Sequence, residues 1–121
     1  MKMIIAGSRT ITSVAALNRV IDHITWINPD FFTRVEKLIS GTAKGADQLG
    51  EYWALFNDVP VERIPADWDK HGAAAGPIRN KVMAEKADFA IILWDGSSHG
   101  AWNMVENMQK LKKPYFLDVV K

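Results

Sequence analysis

The chain alternates short apolar runs with longer segments whose apolar positions recur every three to four residues. Lys2 to Ala6 is a continuous apolar run after one lysine and reads as a buried strand. Leu17, Val20, Ile21, Ile24 and Ile27 follow a helical period. Thr12 or Ser13 can cap that helix, and Asn28-Pro29-Asp30 ends it. Val35 to Ile39 is a second strand, and Ala46, Leu49, Trp53 and Ala54 mark the buried stripe of a second helix. Val59 to Ile64 is less apolar and fits an edge strand. A long connection, PADWDKHGAAAGP, precedes a helix from Pro77 to Lys86, with the proline suited to its first turn. Phe89 to Trp94 is the most continuous apolar run and hence an interior strand. A helix from Ala101 to Leu111, burying Val105, Met108 and Leu111, leads through Lys112-Lys113-Pro114 to a last strand, Tyr115 to Val119.

Strictly alternating strands and helices predict a single α/β domain over 1–121: a Rossmann-like three-layer fold with a five-stranded, mainly parallel sheet and helices on both faces. The expected strand order is 3-2-1-4-5. The chain reverses direction between strands 1 and 4 in that order, and ligands of open α/β sheets bind in the crevice beyond such a point. Three turns rich in small residues converge there.

The first is Gly7-Ser8-Arg9, where a phosphate or base can approach the glycine, the serine can donate a hydrogen bond and the arginine can grip an anion. The second, Ser40 to Asp47 (SGTAKGAD), joins a strand to the start of a helix. Gly41 and Gly45 permit close backbone approach, Thr42 offers a hydroxyl, Ala43 and its neighbours offer backbone N–H groups, and Lys44 offers charge. Asp47 is an acceptor for a sugar hydroxyl or for the turn itself. The third is Asp95 to Ala101 (DGSSHGA), in which Gly96, Ser97, Ser98, Gly100 and Ala101 form another donor-rich helix entrance. His99 in this turn is a candidate for proton transfer or simply polar surface, and Glu106 falls on the exposed or interface face of the following helix. Arg79, followed by Asn80, lies early in its helix, where a cation does not help the helix dipole; this favours a role as an anion clamp.

Other chemistry is narrowed by what the sequence lacks. Neither GxGxxG nor GxxxxGK followed by Ser or Thr occurs, which disfavours an ordinary NAD enzyme or P-loop ATPase. There is no cysteine. Asp67, Asp69 and His71 in the long connection form too small a set for a metal site, so neither a metal nor a cofactor is expected. With 48% hydrophobic and 24% charged residues and a net charge of +1, the 121 residues describe an ordinary globular protein without a basic nucleic-acid surface. No apolar run matches a signal peptide or a membrane span, so the expected place is the cytoplasm, away from membranes.

Taken in order, AGSR at Ala6 to Arg9, SGTAKGAD, the stretch from Ala66 to Met83 that contains ADW and AAGPIRNKVM, and DGSSHGA followed by Asn103 resemble the SLOG superfamily, specifically its small YspA-like branch. The resemblance covers almost the whole chain. It implies a nucleotide-derived small-molecule ligand, a sensing, sequestering or processing role, and assembly into a homo-oligomer. Lonely-guy phosphoribohydrolases are better understood relatives. Their RKxxM motif is similar to Arg79, Asn80 and Met83, and their GGxGT loop to Gly96 to Ala101. Ala101 stands where they have threonine, and their two glutamates fall on Asn103 and Met104; Glu106 is out of register. An uncharged pair cannot stabilise an oxocarbenium ion or act as a general base. A binding module is therefore the leading expectation. The alternatives are a hydrolase of an N-glycosidic or phosphate bond, relying on Asp47, Asp67, Asp69 or His71, and a domain acting through self-assembly or protein docking, with Trp26 or Trp102 in its apolar patch.

Overall fold

A computed structural model describes residues 1–121. Its strands are β1 (Lys2–Gly7), β2 (Lys37–Ser40), β3 (Val61–Arg63), β4 (Phe89–Trp94) and β5 (Tyr115–Val119), and all neighbouring strands are parallel in the order β3-β2-β1-β4-β5. The long helices are α1 (Val14–Ile27), α2 (Ala46–Phe56), α4 (Ala75–Lys86) and α5 (His99–Lys110), with a one-turn helix α3 (Trp68–His71) before α4. Both the strand order and the three-layer α/β architecture match the sequence expectation.

Strand pleat divides the core into two layers. Met3 and Ile5 of β1, with Leu38, Ile91 and Leu93, pack under α1 and α2 through Leu17, Val20, Ile24, Leu49 and Ala54. Ile4 and Ala6, with Ile39, Ala90 and Ile92, face α4 and α5 through Met83, Ala84, Met104, Val105 and Met108. Strand interiors buried on both faces explain why β1 and β4 read as unbroken apolar runs.

Several boundaries differ from the pattern. A 3-10 turn, Phe32–Arg34, delays β2 until Lys37, although Val35 is still buried. The Pro65–Pro77 connection is largely helical: α3, a 3-10 turn at Gly72–Ala74, then α4 beginning at Ala75 rather than Pro77. The alanine run supports that earlier start, because alanine is the best helix former. Ile27 (68% exposed) and Leu111 (40% exposed) lie at helix ends that overrun the sheet, so neither is core. No helix is long and apolar enough to cross a membrane.

Candidate functional site

Beyond the C-terminal ends of β1 and β4 lies a cavity of about 460 Å³. Residues from four separated segments form it: the β1–α1 turn, the β2–α2 turn, the α3–α4 region and the start of α5. Among the residues expected at a ligand site, Gly7, Arg9, Ala43, Asp47, Arg79, Asn80, Ser98, Gly100 and Ala101 line it. Ser8, Gly41, Thr42, Lys44, Gly45, Gly96 and Ser97 do not. Asp67, Asp69 and His71 also lie outside its lining, which removes three of the four side chains considered for hydrolysis from the cavity wall.

Ser8 is buried and ties the turns together. Its N–H donates to Leu93 O (2.9 Å), its Oγ accepts from Asp95 N–H (3.0 Å), and its carbonyl accepts from Ile11 and Ala46 N–H (both 3.3 Å). The Ala46 bond sets the first turn of α2 directly against the β1 turn.

The Ser40–Asp47 turn is less open than its composition suggests. Thr42 N–H donates to Ser40 Oγ (3.1 Å) and Ala43 N–H to Asp47 Oδ2 (3.0 Å). Side chains of the turn have consumed these donors, a local competition common for serine and aspartate. Thr42 faces a different depression on the far side of α2, with Glu51, Tyr52 and Arg63. Lys44 is exposed. A Cβ at Gly41 would lie 2.6 Å from Arg79 Nη1 and 2.8 Å from Asp47 Oδ2, so any side chain there would push the Arg79 guanidinium from its present place.

Asp47 is buried (4% exposed), and burial pushes its carboxyl up to about 6 against the opposing pull of the Ala43 N–H and of Arg79. Its Oδ1 makes no hydrogen bond within the protein. Arg79 is half-buried. It donates Nη1–H to Gly41 O and Nε–H to Asn80 Oδ1 (3.0 Å), leaving Nη2 unbonded in the protein. Burial, reinforced by nearby Arg9, lowers the Arg79 pKa, while Asp47 opposes that shift. Arg9 is exposed, and its guanidinium lies 5.8 Å from the centre of the Trp68 ring.

The α5 entrance is built differently. Asp95 Oδ1 accepts from Ser97 N–H (2.9 Å) and Ser98 N–H (2.8 Å), and Oδ2 accepts from the Thr10 hydroxyl (2.9 Å). The two backbone N–H groups, then the Thr10 hydroxyl, hold its carboxyl below the usual carboxylate range. Ser98 caps α5 by accepting from Ala101 N–H. His99 and Gly100, the first two helical residues, line the cavity, and backbone N–H groups at such positions have no intrahelical partner.

Asn80, expected to contact ligand, also spans the wall. Its Nδ2 donates to Gly100 O and Asn103 Oδ1 (both 3.1 Å), linking α4 to the start of α5. Asn103, which also accepts from Asn107, was not singled out from sequence as a binding residue, nor were Trp68 and Asp95. The Asn103 signal is available: it stands one helical turn beyond the His99 end of α5. The two positions that fall on the phosphoribohydrolase glutamates, Asn103 and Met104, do line the cavity, whereas Glu106 is exposed. The only carboxylates on the wall are Asp47 and Asp95.

Chemically, the wall offers two guanidiniums and the open donors of a helix start. Its carboxylates are occupied by internal donors, except for Asp47 Oδ1. Such a set accepts an anion, with one carboxylate oxygen left for a hydroxyl.

The family model described as YAcAr (YspA, cpYpsA-related SLOG family) matches residues 1–71, which include the first two turns and Trp68. Gene 61 protein of Mycobacterium phage D29 is 34% identical over 84 residues, covering 64% of this chain and 66% of the relative, so the match spans just under two thirds of that protein's length. No solved structure matches the chain.

Proposed function

We propose, from the premise that the chain belongs to the YspA, cpYpsA-related SLOG family, that its cavity holds a phosphorylated, nucleotide-derived small molecule for sensing or sequestration. The observation that carries this reading is the pair Arg9 and Arg79. They line one cavity, lie close enough for Arg9 to disfavour the charge on Arg79, and have no ion pair to a carboxylate within 4 Å. Two like charges held near one another without a direct counterion are stabilised by a bound anion. The phosphate would sit between these guanidiniums and the His99–Gly100 end of α5. Asp47 Oδ1 would accept a ribose hydroxyl.

Titration calorimetry with a panel of nucleotides tests this reading. Arg9→Ala and Arg79→Ala should each weaken binding by at least ~1.5 kcal/mol, the scale of a charge-assisted hydrogen bond. The Arg9 side chain makes no hydrogen bond within the protein and lies over the Trp68 ring, so its variant, checked by a thermal melt, reads the ligand contact with less effect on folding than Arg79→Ala, which also loses the bonds to Gly41 and Asn80. Binding indifferent to both substitutions would sink the assignment.

A second reading, hydrolysis of a bond in the same ligand, draws on Asp47 alone: a cavity carboxyl pushed up to about 6 can exchange a proton near neutrality. Turnover of a bound nucleotide that is lost in Asp47→Asn, with binding retained, would favour it. Homo-oligomeric assembly belongs to the same proposal. Leu55 and Phe56, 70% and 81% exposed at the end of α2, are apolar surface available to it, and the mass measured by light scattering tests it.

A further inference from the structure

Trp68 has no part in the phosphate clamp, yet it forms a wall of the same cavity. The ring is half exposed, on the first residue of α3, and Asp67 caps that turn by accepting from Lys70 N–H (3.1 Å). Its edge rests beside Gly76, another wall residue, where an added Cβ would come 3.4 Å from Cη2. The ring lines the cavity, and the guanidinium of Arg9, another wall residue, lies over one of its faces.

The spacing between these two groups is informative. A planar ring inserted between them would need about 7 Å, two contacts of ~3.5 Å. The Arg9 Cζ lies 5.8 Å from the centre of the ring. On that face a flat ligand ring reaches Trp68 by taking the place of Arg9. The side chain it displaces is an exposed arginine with no other partner, on the same wall as the half-free Arg79.

We infer that Trp68 is the platform for the heterocyclic base of the ligand, and that the base takes the indole face from Arg9 and releases Arg9 to the phosphate. This rests on the phosphate reading above and adds a specificity residue to it. The exchange couples the two ends of the ligand: a base without phosphate leaves Arg9 without a partner, and a phosphate without base leaves Arg9 divided between indole and anion. A compound carrying both gains stacking and the second guanidinium together. Stacking on an aromatic side chain is tolerant of base identity and contributes about tenfold or more in affinity. Trp68 therefore selects for a base, with little preference among bases.

The test uses the full chain and three probes: adenosine 5′-monophosphate, uridine 5′-monophosphate and ribose 5-phosphate. The wild-type protein should bind both nucleotides at least about tenfold more tightly than ribose 5-phosphate. Trp68→Ala should remove that advantage without weakening ribose 5-phosphate, because the substitution removes the base contact and at the same time frees Arg9 from the indole. Trp68→Phe should keep most of it, because a smaller π-face still stacks. Equal loss for all three probes in Trp68→Ala, or no loss for any, overturns the inference; the first pattern is that of a residue that only packs its loop. A thermal melt of each variant separates that packing role from base recognition. If ribose 5-phosphate binds and depends on Arg79 while Trp68 is indifferent, the base platform fails and the phosphate site stands. If no probe binds, or binding ignores both Arg9 and Arg79, the phosphate reading fails and the platform fails with it.

Discussion

The turn before α2 and the turn before α5 use the same vocabulary of glycine, a hydroxyl residue and one aspartate, and reach opposite electrostatic states. In Ser40–Asp47 the aspartate lies inside the helix start, buried, with one backbone donor; desolvation dominates and its carboxyl rises to about 6. In Asp95–Ala101 the aspartate precedes the helix and collects two N–H groups and a hydroxyl; hydrogen bonding dominates and its carboxyl falls. The residue type therefore predicts neither charge nor role. The number of donors aimed at a carboxylate and the amount of water left around it decide both. The two glycines differ in the same way. Gly45 (φ 80) lies under the Ser8 and Arg9 carbonyls, at 2.5 and 2.6 Å from where a Cβ would be, while Gly96 (φ 90) has nothing within 4 Å.

The glycines give the largest expected contrast. Gly45→Ala combines left-handed strain with a clash against backbone, and should destabilise the fold by about 3 kcal/mol in urea unfolding. Gly96→Ala carries the strain alone and should cost about 1 kcal/mol. Equal costs would mean that contact with the β1 turn does not constrain Gly45.

The carboxyls come next, and their signs oppose. The Asp47 pKa is higher folded, about 6, than the ordinary 3.8, so the native state binds the extra proton between these values and stability falls as pH rises through that window. Asp47→Asn keeps an acceptor for the Ala43 N–H and should flatten this slope, with a gain on the order of 2 kcal/mol at pH 7.5 that vanishes near pH 4. Asp95 is lowered, so its contribution is present above the ordinary carboxylate range and is lost as pH falls below it. Asp95→Asn should weaken the fold at neutral pH and lose its effect in acid. Urea titrations from pH 2 to 8 read both, the Asp47 slope between 3.8 and about 6 and the Asp95 slope below 3.8; slopes of the same sign would overturn the contrast.

The smallest effect belongs to the Ser98 cap. Its bond to Ala101 N–H is long, 3.4 Å, and Asp95 already holds the preceding N–H groups. Ser98→Ala should cost only about 0.5 kcal/mol, the low end for a helix cap, in the same unfolding assay.

Much of the fold was legible from sequence because strand and helix periods are local. Unbroken apolar runs in β1 and β4 marked interior strands, and the 3.6 period placed Leu17, Val20 and Ile24 against the sheet. The same logic failed at Ile27 and Leu111, since periodicity does not reveal where a helix overruns the sheet beneath it. It also failed in the Pro65–Pro77 connection, where α3 is too short to carry a period.

For the site, the sequence by itself determined which segments meet: right-handed crossovers and the 3-2-1-4-5 order bring the ends of β1 and β4 together. It also determined that no threonine or glutamate stands at Ala101, Asn103 and Met104. The tertiary structure alone decided which donors stay open. Ser40 and Asp47 take up N–H groups that composition offered to a ligand. Arg79 reaches across to Gly41, Asn80 bridges to Gly100, and Trp68 meets Arg9. The physical reason is range: secondary structure follows from neighbours along the chain, whereas burial, charge and donor satisfaction depend on distances between residues that only the folded sheet brings together.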